Sequence, residues 1–198
     1  NRRLYELTRQ EATTDALTEL GNRRKLLADL ERLLSDPRPE QTLLMIFDLD
    51  GFKSYNDTFG HPAGDALLAR LGAKLAAVPG ARGAAYRLGG DEFCLVVPVG
   101  DGDAEPVIHR ACEALQERGE GFDVGSSFGA VLLPEEADTA SWALHLADER
   151  LYAQKRSRRS SETMDALLEA LSLREPGLPL HLDSVAALAV ATGELLGL

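Results

Sequence analysis

Asp48 and Asp50 stand at the end of TLLMIFDLD, an apolar run that turns acidic as it finishes. Carboxylates brought by a buried strand to a sheet edge suit Mg²⁺, a hard cation usually held by one or two carboxylates plus substrate phosphates. The same two residues also read as a strand end solvating its turn. They do not open a helix–loop–helix calcium site, because Phe52, Lys53 and Phe59 occupy the fifth, sixth and twelfth loop positions. Asp91 and Glu92 directly follow Gly89-Gly90, a dipeptide suited to a tight hairpin. If that hairpin lies beside the Asp48 strand, its carboxylates converge on Asp48 and repel it unless a cation sits between them. Taken alone, the pair also fits a solvated hairpin tip. Asn56, His61 and Asp65 fall between the acidic strand and the next amphipathic helix. An amide and a carboxylate together can read a guanine edge, the carboxylate accepting from the ring N–H and the exocyclic amine. Singly, the three residues are a turn former, a surface histidine and an acid at a helix start.

A basic cluster supplies the opposite charge. Arg150, Lys155, Arg156, Arg158 and Arg159 place five of the chain's 21 basic residues in ten positions. Lys155 and Arg159 are four apart and share a face if the helix persists. The cluster can clamp a polyphosphate, complement the helix macrodipole, or both. The chain has no GxxxxGK[ST] loop, no GxGxxG loop and no HExxH pair, and Ser126-Ser127 lacks a nucleophile-elbow context.

The elements that must position these groups follow from hydrophobic spacing. Asn22 can cap a helix bearing Leu26, Leu27, Leu30, Leu33 and Leu34, ended by Pro37 and Pro39. The Asp48 strand follows, then a helix carrying Leu67, Leu68, Leu71, Leu75 and Val78. AAYRL and EFCLVVP form two strands about Gly89-Gly90. Pro106 opens a third helix with Val107, Ile108, Ala111 and Leu115. VGSSFGAVLL is a further strand, and Thr139 caps a fourth helix through Trp142, Leu146, Ala147 and Leu151. This order predicts an α/β fold with a mixed sheet, the helical crossovers giving parallel neighbours and the Gly-Gly hairpin an antiparallel pair. Residues 1–11 read as a leading helix or signalling stalk. Residues 161–198 read as a helical extension broken at Pro176–Pro179.

The 198 residues include 21 Lys and Arg against 32 Asp and Glu, a net charge of −11. So acidic a surface excludes a broad nucleic-acid or anionic-membrane binder. It leaves room for a metal site or a phosphorylated ligand held by a local basic cluster. Cys94 and Cys112 cannot make a disulfide framework, which points to a reducing, cytoplasmic compartment. No apolar run approaches the roughly 20 residues that span a bilayer. The start at Asn1 and the stop within an apolar helical pattern read as a piece of a longer chain, with an upstream sensor outside it.

Together the motifs resemble the GGDEF family of diguanylate cyclases. The signature pentapeptide is Gly89-Gly90-Asp91-Glu92-Phe93, preceded by Arg87. The leading motif D-x-L-T-x-L-x-N-R-R stands as DALTELGNRR from Asp15 to Arg24. The stretch D-x-D-x-F-K-x-x-N-D-x-x-G-H-x-x-G-D stands as DLDGFKSYNDTFGHPAGD from Asp48 to Asp65, and ADERLYAQK closes the set at Lys155. The likeness covers residues 12–160. It implies a fold like the palm of nucleotide cyclases and polymerases, a mixed central sheet flanked by helices. It also implies condensation of two GTP into cyclic di-GMP across a dimer of half-sites, with release of two pyrophosphates. By position, Asp48, the Leu49 carbonyl, Asp91 and Glu92 would hold Mg²⁺ or Mn²⁺. Asp91, Glu92 and Lys53 would serve the chemistry. Asn56, His61 and Asp65 would hold guanine, and Lys53, Lys155 and Arg159 the phosphates.

The chain departs from the family in places. Many members carry an inhibitory Arg-x-x-Asp site that binds product, and Gly80 and Gly83 fill those two positions here. The late motif continues as Arg158-Arg159-Ser160 rather than Gly-Arg-Asn. The segment around His181 resembles the opening of an HD-type phosphohydrolase of the HD-GYP kind, which implies a downstream HD domain. That fusion motivates a second reading, a silent GTP-binding module controlling an attached phosphodiesterase.

Overall fold

In the computed structural model, residues 13–100 and 102–174 are described. Their elements run β1 (Gly21–Asn22), α1 (Arg23–Leu34), β2 (Thr42–Asp50), α2 (Phe52–Phe59), α3 (His61–Ala76), β3 (Ala84–Gly89), β4 (Glu92–Pro98), α4 (Glu105–Ala114), β5 (Glu117–Gly119), β6 (Phe122–Leu133) and α5 (Ala140–Arg174). The strands form one sheet in the order β1-β3-β4-β2-β6-β5. The chain divides after Gln154 into two compact units. The leading segment 1–11, the break at Pro176–Pro179 and His181 lie outside the described residues.

The sheet is mixed and the Gly-Gly hairpin gives the expected antiparallel pair of β3 and β4, but the helical crossovers do not place parallel strands side by side. β2 pairs antiparallel with both β4 and β6, and β3 pairs antiparallel with β4. Among the described residues, only the two-residue β1 runs parallel to its neighbour, β3. The helical crossovers do link parallel strands, yet each skips a position. β2 and β3 flank β4, while β4 and β6 flank β2. Three short elements escaped hydrophobic spacing: β1, β5, and α2, which the sequence reads as a link.

Alternation along β2 splits the core in two. Leu43, Met45, Phe47 and Leu49 join the cluster under α2, α3 and α4. Leu44 and Ile46 join the cluster under α1 and α5. Helix α1 starts as the sequence predicts: the Asn22 side chain accepts from the Lys25 N–H at 3.1 Å, and Leu26 and Leu30 are wholly buried. The buried face of α5 includes the expected Ala147 and Leu151 but not Trp142. Ala140, Ala143, Ala147 and Leu151 meet the sheet, while Trp142 is 48% exposed. Gly129 on β6 explains the choice. A Cβ there would overlap the Ala147 carbonyl oxygen and come within 2.7 Å of the Leu151 nitrogen. Backbone thus approaches backbone, which only small residues on the facing helix allow.

Candidate active site

The open end of β2 gathers the acidic groups. The β2–β4 register sets Asp48 opposite Glu92, and alternation carries both onto the face of Leu44, Ile46 and Cys94. The Leu49 N–H donates to the Asp91 carbonyl at 3.2 Å, which extends the ladder into the hairpin turn. Gly89 and Gly90 both have positive φ, at 148° and 52°, with open space where a Cβ would stand. The hairpin thus lies beside the Asp48 strand, with Glu92 across from Asp48 and the Asp91 backbone at Leu49.

Electrostatics reports the same crowding. Burial first, then the charges of Asp48 and Asp91, push the Glu92 carboxyl above its ordinary range, with Arg23 opposing. Asp50 is engaged elsewhere, accepting from Ser127 Oγ at 2.8 Å. Among the described residues, no three His, Cys, Asp or Glu side chains form a ready-made metal cage. An all-oxygen set of carboxylates and a strand carbonyl nevertheless fits Mg²⁺, which keeps positions for water and substrate phosphate. A pocket of about 480 Å³ opens beside Glu92, with Arg23, His145 and Asp148 in its wall.

The hairpin is braced from behind. Arg87 donates to the Gly90 carbonyl from Nε at 3.1 Å and from Nη2 at 2.7 Å. Its Nη1 donates to Asp15 at 3.0 Å. Asp15 also accepts from the Thr18 N–H and hydroxyl, at 3.0 and 2.7 Å. Burial raises the Asp15 carboxyl, but the Thr18 and Arg87 hydrogen bonds outweigh it and hold the group below its ordinary range. Both residues are motif positions, and nothing in the sequence signals this contact. Their spacing, 72 residues apart, carries no local signal.

The second group of residues lies at the α2–α3 corner. Gly51 turns the chain from β2 into α2 with φ of 82°, and a Cβ there would sit 2.7 Å from the Asp123 carbonyl oxygen. Tyr55 and Phe59 pack on Phe122, with ring centroids 4.9 and 5.8 Å away. Lys53 is exposed in the first turn of α2. Asn56, in its last turn, rests against Gly64 on α3, so it sits one residue from Asp65. His61 and Asp65 are exposed and four apart on α3, hence on one face. Lys155 and Arg159 are also one turn apart, on the stretch of α5 that belongs to the second unit. Their phosphate assignment rests on sequence alone. At the positions of the inhibitory site, Gly80 has φ of 65°, and Gly83 lies against Pro79 and the Val96 carbonyl.

Comparison with known proteins gives a consistent result. Residues 12–161 match the family described as diguanylate cyclase, GGDEF domain. The diguanylate cyclase TpbB of Pseudomonas aeruginosa is 34% identical over 174 residues, covering 83% of this chain and 40% of that protein. The diguanylate cyclase DgcP of Escherichia coli is 38% identical over 157 residues, covering 75% of this chain and 46% of that one. The chain thus spans less than half the length of these relatives. A crystal structure of a sensory box/GGDEF family protein from Caulobacter crescentus superposes with a TM-score of 0.66 at 37% identity, covering 73% of this chain and 99% of that one. The family match ends at residue 161, before the segment around His181. No helix among the described residues is long and apolar enough to cross a membrane.

Proposed function

The chain belongs to the GGDEF family of diguanylate cyclases, and from that premise we propose that it condenses two GTP into cyclic di-GMP, with loss of two pyrophosphates. The observation that carries the proposal is the register of β2 against β4, which sets Asp48 across from Glu92 with the Asp91 turn beside Leu49. Asp48, Asp91, Glu92 and the Leu49 carbonyl would hold Mg²⁺ or Mn²⁺, which when bound supplies positive charge to the α-phosphate and the leaving pyrophosphate. Lys53 adds positive charge at the triphosphate from the first turn of α2. Asn56, His61 and Asp65 orient the guanine. Asp65 selects guanine over adenine because a carboxylate repels the lone pair at adenine N1 and accepts from guanine N1–H.

Each of the two steps joins the 3′-oxygen of one GTP to the α-phosphorus of the other. The bond between the α-phosphorus and its bridging oxygen breaks, and pyrophosphate departs with that oxygen. The Asp91 carboxylate would take the hydroxyl proton. One protomer holds one GTP, so two protomers face each other for reaction, and specific activity rises with protein concentration.

The test is incubation with GTP and Mg²⁺, with cyclic di-GMP and pyrophosphate measured by chromatography. Turnover in the wild type, lowered at least about 100-fold in Asp91→Asn, is expected. GTP binding without turnover in a dimeric sample would overturn the catalytic reading and leave a GTP-binding module.

A further inference from the structure

The Asn56 amide has an unusual setting. Its Oδ1 is buried and has no hydrogen-bond partner. Gly64, itself buried, lies directly beneath it. A Cβ built on Gly64 would overlap Oδ1, and it would stand 2.9 Å from the amide carbon and 3.3 Å from Nδ2. The oxygen end of the amide is thus sunk deepest into the α2–α3 corner, and the nitrogen end lies farthest from Gly64. Leaving a buried acceptor unpaired is costly. The fold accepts that cost at a residue whose opposite end is a hydrogen-bond donor.

We propose that Gly64 is a positioning residue for base recognition. By leaving room for the Asn56 carbonyl, it admits the seat in which Nδ2 is the end offered to the base. The inference rests on the guanine reading of Asn56 and Asp65. Ionised Asp65 is acceptor-only and takes the two donors of the guanine edge, N1–H and the 2-amino group. The acceptors flanking those donors are O6 and N3, and a donor presented by Asn56 matches either. Adenine fails twice when O6 is the partner, since its N1 acceptor meets the carboxylate and its 6-amino donor meets the Asn56 donor. A freely rotating Asn56 could present its oxygen to that 6-amino group. Bare backbone at position 64 therefore contributes to specificity by admitting the seat in which the donor end is presented.

Gly64→Ala tests the idea with little risk to the fold. The atoms a new Cβ would displace are the end of a rotatable side chain, and alanine is the better helix former. The melting temperature is expected to stay within about 2 °C of the wild type. The Kd for a non-reactive α,β-methylene GTP analogue, measured with Mg²⁺ by titration calorimetry, is expected to rise about five- to tenfold. The matching inosine analogue keeps O6 and N3 and is expected to weaken by the same factor, whereas Asp65→Asn weakens the guanosine analogue more than the inosine one. In an Asn56→Ala background, Gly64→Ala is expected to add nothing. Unchanged affinity in Gly64→Ala beside a binding wild type overturns the role of Gly64. So does a further loss in the Asn56→Ala background, which would mean that Gly64 acts otherwise than through Asn56. A wild type that binds neither analogue is a separate result and overturns the guanine reading itself.

Discussion

Gly83 stands at the aspartate position of the expected Arg-x-x-Asp product site, and its surroundings leave no room for a side chain. A Cβ there would lie 2.5 Å from Pro79 Cβ and 2.8 Å from the Val96 carbonyl oxygen. Gly80, at the arginine position, has open space around it but a φ of 65° that a side chain strains to adopt. Writing the motif back in as Gly80→Arg with Gly83→Asp is therefore expected to cost about 1–3 kcal/mol of stability through overpacking beside β3. It is also expected not to create inhibition by micromolar cyclic di-GMP. Initial rates with added product, read beside a thermal melt, check both; strong product inhibition in a variant of unchanged stability would contradict the steric argument. At this scale residue type alone suggests the chemistry proposed for Asp48, Asp91 and Asp65. The parts of Arg87, Asp15 and Gly64 were not legible, because each consists of a contact to a residue distant in the chain or of the absence of an atom.

At the scale of elements, strong hydrophobic periodicity made β2, β4, β6 and helices α1, α3 and α4 readable in outline. Along α5 periodicity places Ala147 and Leu151 correctly and Trp142 wrongly, because alanines fill the rest of the buried face. Trp142 is 48% exposed while Ala143 and Ala147 are fully buried, because contact at Gly129 favours the face that lets the helix come closest. β1 and β5, two and three residues long, are too short for any period to show. β1 nevertheless matters, since its pairing with Tyr86 and Arg87 lays the leading turn alongside the hairpin. The Asp15–Arg87–Gly90 chain completes that connection, and its ion pair is largely shielded, with side chains 23% and 11% exposed. Asp15→Asn and Arg87→Met are each expected to lower turnover several-fold. The double variant is expected to lose little more than either single one, with a coupling of about 1–2 kcal/mol. Fully additive losses in kcat would show that the two residues act on the hairpin separately. Gly129→Ala gives an independent check on the packing of α5. Backbone rather than a movable side chain opposes the new methyl, so a destabilisation of about 1–3 kcal/mol or more is expected from a urea melt.

Across the first unit, four carboxylates tie separate elements together, and they give the molecule its acid response. Asp15 joins the leading turn to β3 through Arg87. Asp29 on α1 accepts from Tyr86 on β3 at 2.8 Å. Glu117 on β5 holds Arg70 and Lys74 of α3 at 2.6 and 2.9 Å. Glu136, after β6, holds Arg150 of α5 at 2.6 Å. Burial raises Asp15 and Asp29, but hydrogen bonds from Thr18 and Arg87, and from Lys25 and Tyr86, outweigh it. Arg70 lowers Glu117 and Arg150 lowers Glu136, each against some burial. All four therefore lie below their ordinary values of 3.8 for aspartate and 4.5 for glutamate. The unfolded chain takes up these protons first as pH falls, so the stabilisation is complete above about pH 5 and drains away below it. Glu92 runs the other way. Burial, Asp48 and Asp91 raise it above 4.5, so the folded state takes its proton first, and stability is lost as pH rises through the window above 4.5. The melting temperature of the metal-free protein is accordingly expected to climb from pH 3.5 to about 5 and then to stop rising or decline. Glu92→Gln removes the decline and melts about 2 °C above the wild type at pH 7. Adding Mg²⁺ at pH 7 narrows that gap, because a cation among Asp48, Asp91 and Glu92 relieves in the wild type the repulsion that the variant has already lost. A scan of melting temperature against pH for both proteins, with and without Mg²⁺, reads all three effects. A Glu92→Gln protein melting below the wild type at pH 7 without metal would show that the acidic cluster is not a source of strain in the fold.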